Sequence, residues 1–416
     1  MLIHPTLRNV TASSHGASHF QSGTSARKQA RCGHTRELTV PGRVNRPIQR
    51  RGGESGAARL AHNLGVRAPV LREQTGPLDI RAACKSYNHR RTPNMTTLNA
   101  VNALRTFIAE HIIGQQHLVD RLVIALLADG HLLVEGPPGL AKTRAIKVLG
   151  QGIECAFHRI QFTPDLLPAD LTGTEIYRPQ DGSFKFQPGP LFHQLVLADE
   201  VNRAPAKVQS ALLEAMAERQ ITIGRETHLL PELFLVMATQ NPLEQEGTYA
   251  LPEAQLDRFL MHVIVTYPSA EEERRILNLA KQEALAAMVS LPAVGAILSQ
   301  EQIFSARREV LNVYMSDMLE KYLLEIVCST RDPANYGRDL ASWISYGASP
   351  RATIALDRCA RARAWLAGRA FVSPEDILEM APDILRHRIV LNYEAAAEGM
   401  TADSFTTALL SRIPVP

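Results

Sequence analysis

Long apolar runs and paired cysteines are what this sequence lacks. None of its apolar runs approaches the roughly 20 residues that a membrane-spanning helix requires. Its cysteines have neither disulfide-like pairing nor metal-ligand spacing; they are Cys32, Cys84, Cys155, Cys328 and Cys359. These absences argue against a membrane protein, a disulfide-rich scaffold and a cysteine-bound metal centre. They predict a cytoplasmic protein with reduced thiols and no transmembrane segment.

Acidic residues are scarce in the first 94 residues, which hold four of them against 14 Arg and 2 Lys, a net charge of +12. The rest of the 416-residue chain holds 29 basic and 38 acidic residues, a net charge of −9. The length suggests two or three domains in all. Because residues 1–94 show no sustained hydrophobic periodicity, they cannot bury enough apolar surface to offset chain entropy, and we predict a disordered basic extension.

Three interpretations of this extension stay open. It is a basic tail that binds nucleic acid or another anionic surface, an organellar transit peptide of unusual length, or translated sequence upstream of the natural start. The third is favoured, because Met95 stands immediately before the first amphipathic helix, predicted at about 97–111.

The stretch Val134–Thr143 has the pattern of a phosphate-binding loop. It follows a short apolar run that predicts a buried strand and precedes a segment with helical periodicity, which is the context such a loop requires. Its backbone N–H groups would face inward at a helix N-terminus, where partial positive charge favours anions. Lys142 would reach the β- and γ-phosphates, and the Thr143 hydroxyl would ligate Mg²⁺. The predicted nucleotide-binding residues here are Gly136, Pro137, Pro138, Gly139, Leu140, Ala141, Lys142 and Thr143.

One position departs from the usual pattern of this loop, because Ala141 stands where a second glycine is usual. Alanine is tolerable there if its backbone is already close to helical φ and ψ, and we expect that conformation. The alternative is an ordinary glycine-rich turn between a strand and a helix, with an incidental Lys-Thr pair. The rest of the chain decides between the two.

Two further apolar runs that predict buried strands end in polar residues, one in Asp199-Glu200 and the other shortly before Asn241. A strand-terminal carboxylate suits a phosphate-bound Mg²⁺, so Asp199 joins Thr143 as a predicted metal ligand. Glu200 would activate the water that attacks the γ-phosphate, and the Asn241 amide would orient that water. The alternatives are a solvated acidic strand end and an Asn that only ends a strand.

Three residues outside these strands are further candidates for the nucleotide site. Ile113 and Gly114 lie just upstream of the loop, where apolar residues pack against a purine ring or simply belong to the core. Arg351 lies in the first turn of a predicted helix, where its charge opposes the helix macrodipole. A bound anion such as a γ-phosphate would explain that position, and an exposed surface arginine is the alternative.

The remaining pattern divides the chain. Two β-hairpins are predicted around 174–186 and 220–230, inserted in a sheet, and the chain is mostly helical from Ala270 onwards. We therefore predict a nucleotide-binding core over residues 95–268 and a helical domain over residues 269–416.

Five motifs stand in order over residues 95–416: GPPGLAKT, LADEVNRAP, ATQNP, LPEAQLDRF and GASPRA. With them the chain resembles the MoxR-type AAA+ ATPases, and DEVNRAP together with PEAQLDRF is highly specific. The resemblance implies an α/β P-loop core, in which helices flank a parallel sheet with inserted β-hairpins, plus a small all-α lid domain. It also implies the site roles: Walker A at Lys142 and Thr143, Walker B at Asp199 and Glu200, sensor 1 at Asn241, an arginine finger at Arg258 and sensor 2 at Arg351.

The resemblance further implies an enzyme that hydrolyses ATP with Mg²⁺ and assembles as a homo-oligomeric ring, usually a hexamer. Members of the family are similar to chaperones that activate or mature other proteins, often with a partner that carries a von Willebrand A domain. The hairpins would face the ring's centre or that partner, and Arg258 would act on the nucleotide of the neighbouring subunit.

Two other classes of function stay open. A nucleic-acid remodelling or helicase-like AAA+ ATPase would need a basic pore, and the hairpins offer only Arg178, Lys185 and Arg225, the last balanced by Glu226. A nucleotide sensor without catalysis would not need the complete set of catalytic motifs. We therefore expect an ATPase for which nucleic acid is not the partner.

Overall fold

The computed structural model describes residues 95–180, 182–242, 247–288 and 295–416, without the side chains of 286–288. The predicted extension over residues 1–94 lies outside the described residues. Within the described ranges, no helix is both long and apolar enough to cross a membrane.

The strands of the described residues build one central sheet and three small ones. In chain order they are β1 (Leu132–Glu135), β2 (Phe157–Gln161), β3 (Gly173–Arg178), β4 (Ser183–Pro188), β5 (Leu195–Asp199), β6 (Gln220–Ile223), β7 (Glu226–Leu229), β8 (Leu235–Gln240), β9 (Met261–Ile264), β10 (Ile344–Tyr346) and β11 (Val390–Leu391). The central sheet has the order β2-β5-β8-β1-β9, and all its neighbours are parallel. The predicted parallel sheet is confirmed.

Helices cover both faces of this sheet and form the carboxyl-terminal part of the chain. They are α1 (Met95–His111), α2 (Gln116–Leu127), α3 (Lys142–Gly152), α4 (Pro168–Thr172), α5 (Ala206–Glu218), α6 (Glu253–Leu256), α7 (Ala270–Met288), α8 (Gln300–Leu311), α9 (Asp317–Ser329), α10 (Arg338–Trp343), α11 (Pro350–Leu366), α12 (Pro374–Leu385), α13 (Tyr393–Ala397) and α14 (Ala402–Leu410). Short 3₁₀ helices lie at Pro190–Phe192, Val201–Arg203 and Pro333–Asn335.

The core lies on both faces of the sheet, because successive side chains of a strand point to opposite sides. Leu132 and Val134 of β1 join a large apolar cluster with α1, α2, α3 and the later helices. Leu133, between them, joins a second cluster, to which α5 contributes Val208 and Leu212. A parallel sheet covered on both faces explains why these strands are continuously apolar in the sequence.

The two predicted hairpins form, and each is a two-stranded sheet of its own. β3 and β4 pair from Gly173 opposite Pro188 to Arg178 opposite Ser183, so they satisfy their own hydrogen-bonding ladder without an edge of the central sheet. The hairpins meet where the rings of Phe186 and His228 stack, with centroids 4.0 Å apart.

The lid is helical, as predicted, and it also contains a small sheet. β10 and β11 pair antiparallel, and strands of three and two residues are too short to show the periodicity that predicts a strand. The large apolar cluster runs without interruption from Leu104 of α1 to Trp365 and Ile384 of the lid. The boundary between residues 268 and 269 therefore remains a prediction, because packing does not separate the two parts.

Candidate functional site

The phosphate-binding loop connects β1 to α3, at the carboxyl edge of the sheet. A side chain at Gly136 would place its Cβ 2.5 Å from the Val265 carbonyl oxygen, so glycine is required there by close packing. Gly139 has a φ of +83°, which glycine adopts without strain. Lys142 begins α3, and its ammonium donates hydrogen bonds to the carbonyl oxygens of Gly136 and, at 3.2 Å, of Gln240. The ammonium therefore lies against the loop, where a phosphate would be bound.

Ala141 does not have the expected near-helical backbone. Its φ is 58° and its ψ is 17°, in the left-handed region, immediately before α3 begins. This corrects the expectation from the sequence. The second glycine of the usual pattern would adopt the left-handed conformation without strain, whereas Ala141 adopts it with strain.

Thr143 and Asp199, the two metal ligands predicted from the sequence, lie close together. The Thr143 hydroxyl lies 3.3 Å from Asp199 Oδ2, and the Thr239 hydroxyl donates to Asp199 Oδ1 at 2.6 Å. A hydroxyl and a carboxylate are hard oxygen donors, and Mg²⁺ in phosphate sites takes one or two such ligands alongside phosphates and water. The residues present therefore fit Mg²⁺.

Glu200 has a left-handed backbone, with φ 57° and ψ 50°, at the turn after β5. Its N–H donates to the Thr239 hydroxyl at 3.0 Å. Its carboxylate accepts from Gln161 Nε2 at 2.7 Å and from Arg203 Nη1 at 2.9 Å. A non-glycine residue held in this conformation is typical of a functional site, because the surrounding contacts must compensate for the strain.

These residues line one cleft with a volume of about 400 Å³. The predicted residues that it brings together are Pro138, Gly139, Leu140, Ala141, Lys142, Thr143, Asp199, Glu200 and Asn241. Asn241 follows β8 and is buried at 6% exposure. Gly136 and Pro137 lie in the same loop, where the Gly136 N–H donates to the carbonyl oxygen of Gln240 at the end of β8.

Sequence reasoning missed Arg159 and Thr239, which also line this cleft. The Arg159 guanidinium contacts Asp199 Oδ2 through Nη2 at 2.7 Å and Nε at 3.0 Å. Arg159 lies on β2, and only the pairing of β2 with β5 places it there. The sequence shows that β2 exists and does not show which strand it pairs with, so no local signal identifies this arginine.

A second pocket adjoins the cleft and suits a nucleotide base. It shares Gly139, Leu140 and Ala141 with the phosphate cleft, and Ile113 adds an apolar wall. Ile276, Leu279 and Ala280 of α7 close the other side. Gly114 follows Ile113 with a φ of +78°, packed against Pro268.

The end of β1 adds a negative charge behind the loop. The His262 ring, whose Nε2 lies 2.9 Å from Glu135 Oε2, holds the pKa of Glu135 below its ordinary value against the opposing effect of burial, and the charges of Arg386 and Lys142 lower it further. Glu135 is therefore ionised at neutral pH, and its charge and that of the Lys142 ammonium attract each other.

Arg258 and Arg351 do not line the phosphate cleft. They share a different cleft with Gly130 and His131, which precede β1 at the amino edge of the sheet. β1 spans four residues, so the two edges are roughly 13 Å apart at about 3.3 Å per residue. Arg258 donates to the Leu213 carbonyl oxygen at 2.7 Å, and Arg351 is half exposed.

Comparisons with known proteins match two regions of the chain and one solved structure. Residues 131–261 match the ATPase family associated with various cellular activities, AAA, and residues 340–409 match the AAA lid domain. The chain is also similar to a crystal structure of a candidate ATPase from Cytophaga hutchinsonii, with a TM-score of 0.72 and 46% identity, covering 80% of this chain and 99% of that one.

Curated relatives cover most of the same region. The chain is 45% identical over 306 residues to Chaperone MoxR1 of Mycobacterium tuberculosis, which is 73% of this chain and 79% of that protein. It is 42% identical over 311 residues to YeaC of Bacillus subtilis, 74% of this chain and 93% of that one. It is 31% identical over 325 residues to MoxR of Methylorubrum extorquens, again 74% of this chain and 93% of that protein. The protein is an ATPase, and the chain belongs to the MoxR family of AAA+ ATPases.

Proposed function

We propose that this chain hydrolyses ATP with Mg²⁺ as one subunit of a homo-oligomeric ring, and that hydrolysis drives the activation or maturation of a partner protein. The observation that carries the catalytic part is the convergence of Lys142, Thr143, Asp199, Glu200 and Asn241 on one cleft at the carboxyl edge of the sheet. Parallel α/β sheets bind ligands at that edge.

Each of these residues has one task in the proposed reaction. Lys142 binds the β- and γ-phosphates, and Glu200 accepts a proton from the attacking water while Asn241 orients that water. Thr143 and Asp199 would hold Mg²⁺. When bound, Mg²⁺ would neutralise charge that develops on the phosphate oxygens. Arg159 pairs with Asp199 and lines the same cleft, and it would exchange that carboxylate for a phosphate oxygen when nucleotide binds.

The same proposal assigns Arg258 and Arg351 to the nucleotide of the neighbouring subunit. They lie at the opposite edge of the sheet from their own phosphate loop, so a ring in which one subunit's amino edge faces the next subunit's cleft would use both. Charge on the breaking γ-phosphoryl group needs donors beyond Lys142, and an arginine finger is worth about 10³–10⁵ in rate.

The proposed action on a partner protein is supported by the relatives of this chain and by its hairpins. One relative is named a chaperone. Ile176, Tyr177 and Phe184 of the first hairpin are 46%, 53% and 67% exposed, an apolar surface that suits a protein better than a phosphate backbone. We further propose that the ring is a hexamer, that the partner protein carries a von Willebrand A domain and that the protein is cytoplasmic.

The experiment is ATP turnover by Glu200→Gln. The amide keeps the shape of the side chain and cannot accept the proton, so we expect ATP binding to persist and turnover to fall on the order of 10²-fold or more. Glu214→Gln, an exposed substitution on α5, is the matched control and should turn over normally. Near-parental turnover in Glu200→Gln would assign the base to another residue.

The same assay separates the other functions. Stimulation of parental turnover by single- or double-stranded DNA would favour a nucleic-acid remodeller, and ATP binding without turnover would favour a nucleotide sensor. We expect neither result.

A further inference from the structure

A buried arginine of the lid binds the backbone on both sides of Arg258. The side chain of Arg388 is 2% exposed. Its Nη2 donates to the carbonyl oxygens of Phe259 at 2.5 Å and Asp257 at 3.2 Å, and its Nη1 donates to those of Leu260 at 3.2 Å and Ile384 at 2.6 Å. Its Nε donates to Asp257 Oδ1 at 2.8 Å. One guanidinium therefore holds three of the four residues from 257 to 260, and Arg258 is the fourth.

This contact depends on the shape of a guanidinium. Five N–H donors in a planar fork reach several acceptors at once, whereas a lysine ammonium is a point charge with three donors. Burial of a charge is tolerated only when its donors are satisfied and a counter-charge is near, and the Asp257 carboxylate supplies that charge.

Asp257 is the centre of the arrangement. Both of its carboxylate oxygens accept from the Ser349 hydroxyl, at 3.0 and 2.8 Å, in addition to the bond from Arg388. Arg351 Nη1 lies 3.8 Å from Asp257 Oδ2. Ser349 caps α11, whose first turn carries Arg351. The segment with Arg258 and the helix end with Arg351 are therefore tied to the same carboxylate.

We propose that Arg388 and Asp257 are positioning residues, which fix Arg258 and Arg351 as one rigid pair of cations for the ATP of the neighbouring subunit. This inference rests on the proposed action of Arg258 across the interface. Arg388 and Ser349 belong to the lid and Arg258 to the sheet domain, so a shift of the lid moves the finger with it. Coupling of this kind would let the lid of one subunit control hydrolysis in the next.

Mixed rings test the inference. A Lys142→Ala subunit has no working phosphate loop and can donate only its finger, and an Arg258→Ala subunit can donate only its phosphate loop. Their mixture should recover part of the activity that each lacks alone. Arg388→Lys is then added either to the finger donor or to the loop donor, and kcat and KM for ATP are measured in both mixtures.

A positioning role predicts an asymmetric result. In the finger donor, Arg388→Lys should lower kcat about 10- to 100-fold with KM within about twofold, since a displacement of 1 Å can cost on the order of 10²-fold in rate. In the loop donor the same substitution should change kcat less than about twofold. Asp257→Asn, which keeps the backbone contacts of Arg388, is run in parallel in case Arg388→Lys does not fold, with thermal melts of both.

Each other result decides against one of the two claims. Equal loss in both positions would show that Arg388 and Asp257 only stabilise the fold, and no loss in either would show that they do not affect turnover. Either result would overturn this inference alone. Recovery of no activity in the Lys142→Ala and Arg258→Ala mixture, while sizing shows that mixed rings form, would overturn the action of Arg258 across the interface and the inference with it.

Discussion

Two residues of the candidate site, Ala141 and Glu200, have left-handed backbones where glycine would be unstrained. Glu200 needs its side chain for the proposed chemistry, so its strain is part of the site. Ala141 has no such role, because only its backbone shapes the phosphate loop. The two positions therefore predict opposite consequences of substitution by glycine: loss of activity at Glu200, and relief of strain at Ala141.

We expect Ala141→Gly to raise the free energy of unfolding by about 1 kcal/mol and to leave ATP affinity unchanged, because glycine adopts the left-handed conformation freely. The control is Ala103→Gly at an exposed position inside α1, where glycine should lower the free energy of unfolding by about 1 kcal/mol. Chemical denaturation of the three proteins measures both changes. Destabilisation in both variants would mean that Ala141 is not strained.

His131 gives the stability a predictable dependence on pH. Its Nδ1 accepts from the Val236 N–H at 3.0 Å and its Nε2 lies 3.2 Å from the Met216 carbonyl oxygen, an arrangement that fits the neutral ring. Burial lowers the pKa of His131 from 6.5 to about 4. Below pH 6.5 the unfolded state binds a proton that the folded state does not bind until about pH 4, so stability falls as the pH falls through this window.

The expected loss attributable to His131 between pH 7.5 and pH 5 is about 2 kcal/mol. We expect His131→Gln to be less stable at pH 7.5 and to show a correspondingly shallower fall toward pH 5. The difference between the two pH profiles isolates His131 from other titrating groups, among them the buried His387, whose pKa is also lowered by burial. Parallel profiles for the two proteins would contradict the prediction.

At the scale of elements, the sequence predicted the phosphate loop and the residues that directly follow two strands of the site, and it missed Thr239 within β8. The phosphate loop, Asp199 and Asn241 all follow apolar runs, and parallel strands end at a common edge, so their proximity follows from the pattern. The position of Arg159 in the site could not be predicted, because strand order is decided by packing between distant segments. The same holds for Arg388, whose partners Asp257 and Leu260 lie more than 100 residues earlier in the chain.

Helix α12 depends on a buried carboxylate at its start. Asp376 is fully buried and accepts from Arg363, from Arg369 at 2.6 and 2.7 Å, and from the Ser373 N–H at 2.8 Å. These donors together hold the pKa of Asp376 below its usual value although burial opposes them. Asp376 therefore both caps the start of the helix and forms ion pairs with two arginines.

We expect Asp376→Asn to lower the free energy of unfolding by about 3 kcal/mol, because it removes the buried charge that pairs with Arg369 and Arg363 and leaves Arg363 only its pair with Glu379. Glu375→Gln, at the adjacent exposed position of the same helix, should change stability little. Thermal and denaturant unfolding of both variants measures the contrast. A similar, small effect of both substitutions would show that the arginines find other partners.

At the scale of the whole molecule, one apolar cluster joins the sheet domain to the lid, and the ion pair of Arg121 with Asp383 crosses the same boundary at 2.6 Å. Both side chains of that pair are 3% exposed. Lid and sheet domain of one subunit are therefore tightly packed, while its phosphate cleft and its arginine pair lie at opposite edges. In the function proposed above, each subunit therefore carries one part of an active site at each of these two edges, and two copies together complete one site.

The last prediction follows from that division. ATP turnover per subunit should rise with protein concentration and reach a plateau when rings are complete, since assembly brings each Arg258 to a neighbour's cleft. Arg258→Ala should assemble over the same concentration range and show no such rise, because its ring lacks the finger. Turnover and size are measured on the same samples by a phosphate-release assay and light scattering. A turnover per subunit that stays constant down to concentrations at which only monomers scatter would show that a single chain contains a complete active site.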